Sequence, residues 1–305
     1  MKKLIAILLT VSIVLAFAGC AKPAEKSQLT VTFMDIGQGD AALLECDGEY
    51  MMIDTGVNSK ACGEKIRTLL EHKQIHTLKY LVISHLHDDH YGGLVNNAFR
   101  NVEIKTTLCN EDPARKSNVA SQLTGSQVII PAVGEVFRLG GATVKVVDVS
   151  AEEANDSLVL LISHGNTNFL FTGDIEKEAH SRLAGKLREI SAELEGKENL
   201  IKMPHHGAYN SDQFLPGNAY DNSLATLLSA FYAKYFVISA GENNPYGHPH
   251  EETLNLIDQL LRVYELEKAE CLFRTDHHGD IVATSDGNAI TVVSSAQAES
   301  NGNPQ

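Results

Sequence analysis

The sequence predicts a mixed α/β fold in which two packed β-sheets are covered by helices. Three observations lead to this fold class. Short segments rich in β-branched and aromatic residues recur in both halves of the chain, amphipathic segments of helical period follow them, and the candidate functional residues stand at strand ends. The 305 residues and a hydrophobic content of 43% are sufficient for a substantial core. The chain is therefore expected to be globular.

The N-terminal segment has the composition of a secretion signal. Two lysines precede an apolar run over residues 4–17, and two small residues then lead to Cys20. This order predicts a signal peptide over residues 1–20. The small residues before Cys20 resemble a bacterial lipoprotein processing site, although Phe17 stands where such sites usually carry leucine. We expect lipidation of Cys20, attachment to the membrane and an extracytoplasmic location, with an ordinary signal peptide as the alternative.

The rest of the chain divides into a short tether over residues 21–28, one domain over residues 29–294 and a disordered tail over residues 295–305. Residues 96–127 are polar and are assigned no element. The predicted strands cover residues 29–35, 41–46, 50–53, 80–83, 128–130, 136–138, 143–148, 158–162, 168–171, 200–203, 235–240, 271–274, 280–283 and 288–293. The predicted helices cover residues 59–72, 175–188 and 251–264.

Composition excludes several classes of protein. A formal net charge of −14 argues against a broad electropositive surface for long nucleic acids, although bound divalent ions would make a local site positive. No apolar run after residue 20 is long enough to cross a bilayer. Four cysteines follow Cys20 without CxxC spacing, which excludes a zinc ribbon and leaves buried thiols or a disulfide. These cysteines are Cys46, Cys62, Cys109 and Cys271.

Three histidines and two aspartates follow the predicted strand over residues 80–83 within a stretch of six residues. His85 and His87 alternate along an extended segment, so both rings face one side. Asp89 and His90 lie beyond the bend and can face a second ion. Imidazole and carboxylate ligands suit zinc, manganese or iron. The spacing predicts a metal-binding loop at the end of a buried strand, with a turn of solvated histidines as the alternative.

Two further aspartates end predicted strands. Asp174 follows the strand over residues 168–171 and a glycine that lets the backbone bend. It is predicted to place one oxygen on each of two ions, and an N-cap of the next helix is the alternative. Asp54 follows the strand over residues 50–53. It is predicted either to orient the metal loop by accepting hydrogen bonds or to cap a turn.

Two histidine pairs complete the candidate set. His205 and His206 follow the strand over residues 200–203, and His248 and His250 precede the last predicted helix. The residues alone do not decide which member of the first pair binds metal. We favour His205.

These motifs, in this order, resemble the metallo-β-lactamase superfamily. Within it the chain resembles the extracytoplasmic hydrolase domain of the ComEC DNA-uptake competence proteins over nearly all of residues 29–293 and, less closely, bacterial phosphorylcholine esterases. The resemblance implies a four-layered αββα sandwich with a two-metal site at one edge of the sheets. It rests on the segments at residues 35–41, 53–56, 85–90, 155–160, 171–174, 204–207, 243–250 and 274–276.

The resemblance also implies a ligand set for two divalent ions, Zn²⁺ or Mn²⁺, with Asp174 as the bridge. Residues 155–157 stand where the superfamily usually has a third-motif histidine, and the segment at residues 204–207 is expected to fill that place. The implied ligands are His85, His87 and His205 for the first ion, and Asp89, His90 and His248 for the second.

The remaining roles concern proton transfer and substrate contact. Asp88 or Asp89 is predicted to relay a proton, and His206, His250 or Asn243 to contact the phosphate or protonate the leaving group. Of these, we favour Asp89 and His206 as catalytic residues and Asn243 and His250 as contacts to the substrate. Hydrogen bonding within their own loops is the alternative for all of these side chains.

The resemblance implies hydroxide attack on a phosphodiester, with DNA or a phosphorylated envelope component as the substrate. Hydrolysis of lactones, thioesters or β-lactams is the second hypothesis, and a non-catalytic binding lipoprotein is the third. The complete ligand set argues against the third, because clustered carboxylates and imidazoles without an ion would repel or stay unsatisfied. DNA transport is not carried over, since this chain has no segment corresponding to the ComEC membrane channel.

Overall fold

Two β-sheets packed face to face form the centre of the structure. The computed structural model describes residues 27–152, 157–209 and 222–296, so the predicted signal peptide and Cys20 lie outside the described residues. The strands are β1 (Leu29–Phe33), β2 (Ala41–Cys46), β3 (Glu49–Thr55), β4 (Thr77–Ile83), β5 (Glu103–Cys109), β6 (Gln127–Ile129), β7 (Val136–Leu139), β8 (Ala142–Ser150), β9 (Ser157–His164), β10 (Thr167–Phe171), β11 (Glu198–Lys202), β12 (Tyr235–Ile238), β13 (Leu272–Arg274), β14 (Ile281–Ser285) and β15 (Ile290–Ser294). The helices are α1 (Lys60–His72), α2 (Asp88–Val95), α3 (Ser117–Gln122), α4 (Lys177–Glu189), α5 (Ser223–Ala230), α6 (Glu251–Val263), α7 (Lys268–Cys271) and α8 (Thr275–His278), and three 3₁₀ turns cover Pro113–Arg115, Ser191–Glu193 and Pro204–Gly207.

Each sheet mixes antiparallel and parallel strands. The first sheet has the strand order β15-β14-β1-β2-β3-β4-β5-β6, and the second has the order β13-β12-β11-β10-β9-β8-β7. In the first sheet, β3, β4, β5 and β6 are parallel neighbours. In the second, β10, β11, β12 and β13 are parallel neighbours. The carboxyl ends of each parallel run therefore meet at one edge of their sheet.

The main core lies between the two sheets. Phe33 of β1 and Phe171 of β10 stack across this interface with ring centroids 5.6 Å apart. The outer face of the first sheet packs against α1, α2 and α3. The outer face of the second packs against α4, α5, α6 and α7. The structure thus has four layers in the order α, β, β, α, and the predicted fold class is confirmed.

The strand β5 lies in the region to which the sequence analysis assigned no element. Its first four residues are exposed or half-buried and include Glu103 and Lys105, and only its last three residues are fully buried. Such a segment lacks the continuous apolar run that identifies a buried parallel strand. Pairing with β4 on one side and β6 on the other supplies its hydrogen bonds. Tertiary pairing, which a local pattern does not report, therefore decides its conformation.

The ends of the described chain make contacts with the domain. Ser27 Oγ donates to Asp47 Oδ2 at 2.7 Å, and Gln28 N donates to Asp47 Oδ1 at 3.3 Å, so the last two residues of the predicted tether are held by β2–β3. Ser295 N, in the predicted tail, donates to Asp280 O at 2.9 Å. The four cysteines after Cys20 are buried free thiols. In the three described ranges, no helix combines the length and the apolar character needed to cross a membrane.

Candidate metal centre

Four chain segments meet where strands of both sheets end. The segment after β4 enters α2, and the segments after β10, β11 and β12 leave three parallel neighbours at one edge. Backbone contacts fix the two sheets to each other here, because Leu158 N donates to Ser84 O at 2.8 Å. Helix α2 lies close to the backbone after β3, and a Cβ on Gly92 would come within 2.1 Å of Asn58 N. The metal loop is therefore held tightly against its surroundings.

Four predicted residues converge into one group at this edge. The ligand atoms of Asp89, His90, Asp174 and His206 all lie within 4.8 Å of one another. His90 Nε2 lies 3.1 Å from Asp174 Oδ2, and His206 Nε2 lies 3.2 Å from Asp89 Oδ2 and 3.4 Å from Asp174 Oδ2. The structure therefore places the strand-end aspartate against the histidine loop, as the sequence predicted.

This group fits a divalent cation. Within the described part of the chain, Asp174 Oδ1 is buried without a hydrogen-bond partner, and His90 Nε2 faces Asp174 Oδ2 at 3.1 Å without forming a hydrogen bond of good geometry. Leaving a buried atom such as Asp174 Oδ1 unpaired costs about 1–3 kcal/mol, and a cation bound to it would remove that cost. Two carboxylates and two imidazoles form a donor set that zinc and manganese both accept.

His85 and His87 lie beside this group. His85 Nε2 is 2.9 Å from His87 Nδ1, and the centroid of the His85 ring is 4.1 Å from that of His90. Burial and the neighbouring His90 lower the pKa of His85 well below its ordinary value. Its imidazole is therefore neutral, which is the form that binds metal.

The His205–His206 turn differs from the arrangement that the resemblance implies. Both residues have positive φ angles, 47° and 54°, so their side chains leave the turn in different directions. His206 points inward into the group. His205 turns outward, with its Nδ1 3.2 Å from Glu176 Oε1 and its Nε2 3.9 Å from Asp174 Oδ2. The geometry therefore favours His206 over His205 as the candidate ligand from this turn, and the predicted ligand role of His205 stays a prediction.

His248 lies at the rim of the group, which also differs from its expected role as a ligand of the second ion. Its ring centroid is 5.6 Å from that of His205 and 6.3 Å from that of His206. Its Nδ1 faces Gln38 Nε2 at 3.3 Å. His206, and not His248, is the fourth member of the group that contains Asp89. The predicted ligand role of His248 stays a prediction.

Asp54 orients the metal loop through three contacts. Its Oδ1 accepts a hydrogen bond from Ser84 N at 2.7 Å, and its Oδ2 accepts one from Ser84 Oγ at 2.7 Å. His90 Nδ1 lies 2.9 Å from Asp54 Oδ2. Burial acts to lower the pKa of His90, but the carboxylates of Asp174 and Asp54 outweigh it and raise that pKa well above its ordinary value. Asp54 therefore fixes which nitrogen of His90 faces the group.

A buried ion pair, which the sequence analysis did not identify, supports His206. Its Nδ1 lies 2.9 Å from Ser239 O and 3.3 Å from Asp40 Oδ1. Asp40 Oδ2 pairs with Lys202 Nζ, which also donates to Met203 O at 2.9 Å. Burial acts to raise the pKa of Asp40, but the Lys202 ammonium and His206 outweigh it and hold that pKa below its ordinary value. The sequence feature that could have indicated this ion pair is Lys202, a lysine in the apolar strand before the histidine pair.

Ser157 is the described residue of the segment that stands, in the sequence, where the superfamily usually has a third-motif histidine. Its Oγ accepts a hydrogen bond from Asp174 N at 3.0 Å, so it positions the backbone of the candidate bridging residue. The preceding residues 155 and 156 lie outside the described residues.

The loop after β12 holds the two predicted substrate contacts, and they differ. His250 has both ring nitrogens on loop backbone, since Nδ1 accepts from Tyr209 N at 2.8 Å and Nε2 lies 3.2 Å from Tyr246 O. One contact lies within its own loop and the other joins it to the segment after β11, and its predicted contact with the substrate stays a prediction. Asn243 is exposed and has a positive φ of 52°. The loop itself is organised by its neighbour Asn244, which bonds four backbone groups.

Two curated relatives are similar to most of this chain. It is 27% identical over 283 residues to ComE operon protein 3 of Bacillus subtilis (strain 168), covering 85% of this chain and 33% of that protein. It is 27% identical over 252 residues to Recombination protein 2 of Haemophilus influenzae, covering 80% of this chain and 28% of that protein. Both relatives are ComEC-like, and this chain spans about a third of their length.

Comparison with solved structures agrees on the fold. CmlA, a diiron β-hydroxylase from Streptomyces venezuelae, superposes with a TM-score of 0.50 at 13% sequence identity, covering 81% of this chain and 52% of that one. The model of the metallo-beta-lactamase superfamily matches residues 34–241, which hold six of the seven predicted ligands. With the four layers and the edge site described above, this match shows that the chain belongs to the metallo-β-lactamase superfamily.

Proposed function

We propose that this metal-dependent hydrolase is a phosphodiesterase. One observation carries the proposal: Asp89, His90, Asp174 and His206 converge on one point, and Asp174 Oδ1 is buried there without a hydrogen-bond partner. The names of the relatives, which refer to the ComE operon and to recombination, favour a phosphodiester over a lactone, thioester or β-lactam as the substrate. DNA and a phosphorylated envelope component are the two substrate classes considered.

The residues of the centre have separable tasks. When bound, two divalent ions, Zn²⁺ or Mn²⁺, would supply positive charge to the phosphate and lower the pKa of a water toward about 7. The four-residue group would hold one ion, and the neutral His85 with His87 would hold the other. Asp54 and Asp40 fix the orientation of His90 and His206 by contacting their Nδ1 atoms.

His205, at the edge of the four-residue group, is suited to contact the substrate. His205 is partly exposed, and its Nε2 lies 3.9 Å from Asp174 Oδ2, so its ring borders the point on which the ligand atoms converge. His205 is therefore placed to contact a phosphate oxygen or to give a proton to the leaving oxygen. In this proposal it takes the acid role that the sequence analysis gave to His206, while Asp89 keeps its place beside the ions.

The proposed activity is tested by an assay of the purified full-length chain with Zn²⁺ or Mn²⁺. We expect hydrolysis of bis-p-nitrophenyl phosphate and of single-stranded DNA. Both activities should be lost with EDTA and restored by the metal, and nitrocefin should stay intact. Hydrolysis of nitrocefin without hydrolysis of either diester, by protein that has bound metal, would overturn the proposal.

We further propose that Cys20 is lipidated and anchors the enzyme on the extracytoplasmic face of the membrane. The proposal is supported by the charged, apolar and small residues in order before Cys20. In bacteria that express the full chain, we expect the protein in the membrane fraction, and Cys20→Ser should release it into the soluble fraction. Equal membrane association of the two proteins, or a product that keeps residues 1–19, would contradict lipidation.

A further inference from the structure

We propose that Tyr246 is a stacking platform for a nucleobase, so that the enzyme acts on nucleoside-containing phosphodiesters whose bases are unpaired. This inference rests on the proposed function and names its substrate class. Tyr246 is 65% exposed, the highest value among the aromatic side chains of the described ranges. A single exposed ring is common on protein surfaces, so the inference rests on where this ring lies.

The ring lies beside the metal centre. Tyr246 stacks on His248 with centroids 5.6 Å apart and an interplanar angle of 27°. His248 in turn stacks on His206 with centroids 6.3 Å apart and an angle of 24°. The three rings form a nearly parallel series that leads from solvent to the candidate ligand. A base that stacks on Tyr246 would therefore have its phosphates near the ions.

The loop presents this ring in a fixed position. Asn244 Oδ1 accepts hydrogen bonds from Tyr246 N at 3.2 Å and from His248 N at 3.0 Å. Asn244 Nδ2 donates to Gly241 O at 2.9 Å, and His250 Nε2 lies 3.2 Å from Tyr246 O. A preordered platform loses little conformational entropy when a base binds, so its contact contributes more to affinity.

The charge of the chain favours an unpaired base over a duplex. A duplex is held chiefly by lysines and arginines that neutralise its phosphates, and this chain has a formal net charge of −14. Stacking of a base on an aromatic ring contributes binding free energy without a basic groove, and every base can stack in this way. A single tyrosine is also a poor site for a quaternary ammonium group, which proteins usually enclose in several aromatic rings.

The test compares three esters that all release p-nitrophenolate: thymidine 5′-(p-nitrophenyl phosphate), methyl p-nitrophenyl phosphate and p-nitrophenylphosphorylcholine. We expect Tyr246→Ala to lower kcat/KM for the thymidine ester about 5- to 100-fold, mainly through KM, and to leave the methyl ester within about 2-fold. Tyr246→Phe should keep the wild-type preference, because the ring supplies the contact. Tyr264→Ala is the matched control, since this tyrosine is 39% exposed and lies at the far end of α6, about 20 Å along the helix.

A second measurement does not depend on catalysis. Metal-free full-length protein is titrated into fluorescein-labelled oligothymidine, and fluorescence anisotropy should show binding that Tyr246→Ala weakens about 5- to 100-fold. The ester assay separates the two proposals. Equal effects of Tyr246→Ala on the thymidine and methyl esters, or a selective effect on the choline ester, would overturn the platform while leaving the phosphodiesterase proposal intact.

If no diester is cleaved, the phosphodiesterase proposal fails and the anisotropy measurement alone tests the platform. Unchanged anisotropy for Tyr246→Ala would then overturn the platform as well.

Discussion

Asp174→Ala is expected to abolish metal-dependent hydrolysis, because this one carboxylate faces both imidazoles of the four-residue group. Its Oδ2 lies 3.1 Å from His90 Nε2 and 3.4 Å from His206 Nε2, and the side chain is 7% exposed. Loss of a partner that merely orients a metal ligand typically costs 10- to 100-fold in affinity or activity. Removal of a ligand should exceed that range, so we expect a loss of more than about 100-fold. Diester hydrolysis and the bound metal per chain, measured by elemental analysis, check this.

A matched substitution separates the loss of a ligand from the loss of any aspartate. Asp258 lies on α6, where it pairs with Arg262 Nη2 at 2.8 Å on the exposed side of the helix. Asp258→Ala should keep full activity and metal content. Wild-type metal content with activity within about 3-fold in Asp174→Ala would refute the assignment of the centre.

The sequence predicted the centre where the ligands follow strands that have clear patterns. His85, His87, Asp89 and His90 come directly after β4, and Asp174 comes after β10, so their meeting follows from the shared edge of a two-sheet fold. No long-range information beyond the fold class was required. The role of Asp54 was also predictable as one of two alternatives, because a carboxylate at the end of the neighbouring β3 lies beside the metal loop.

The choice between His205 and His206 could not be predicted, because it depends on two consecutive residues with positive φ. Neither is glycine, and residues other than glycine adopt positive φ in only a few per cent of cases, so no local pattern identified the turn. The contact of Asp40 with His206 could not be predicted for a different reason. It follows β1 by seven residues and reaches His206 only because the two sheets pack together, which is a contact between positions more than 160 residues apart.

The same packing explains why Lys202 gave a weak signal. Leu200, Ile201 and Met203 around it are apolar, and an isolated lysine in such a strand is normally taken as an edge position that faces solvent. The structure buries it to 3% exposure, with Asp40 as its partner. A buried charge of this kind is maintained only with its counter-charge, so the Asp40–Lys202 pair and the orientation of His206 are linked.

Lys202→Met is therefore expected to destabilise the protein by about 3–5 kcal/mol, because it removes the full positive charge that pairs with the buried Asp40 carboxylate. For a domain of this size, the change corresponds to a fall in Tm of roughly 10 °C. Lys234→Met is the matched control. Lys234 pairs with Glu198 Oε1 at 2.8 Å, but both side chains are partly exposed, so its loss should cost no more than about 1 kcal/mol. Thermal unfolding of the metal-free proteins measures both.

The double variant Asp40→Asn with Lys202→Met separates stability from positioning. Removing both charges should recover most of the lost stability, because no unpaired charge stays buried. It should not restore the centre, since an amide no longer provides the negative charge that faces His206 Nδ1, and metal affinity should stay about 10- to 100-fold below wild type. If the double variant binds metal as tightly as the wild type, the pair serves stability alone. If Lys202→Met destabilises the protein no more than Lys234→Met, the Asp40–Lys202 pair does not contribute the stability expected of a buried ion pair. The contact with Ser239 O would then orient His206 without a contribution from that pair.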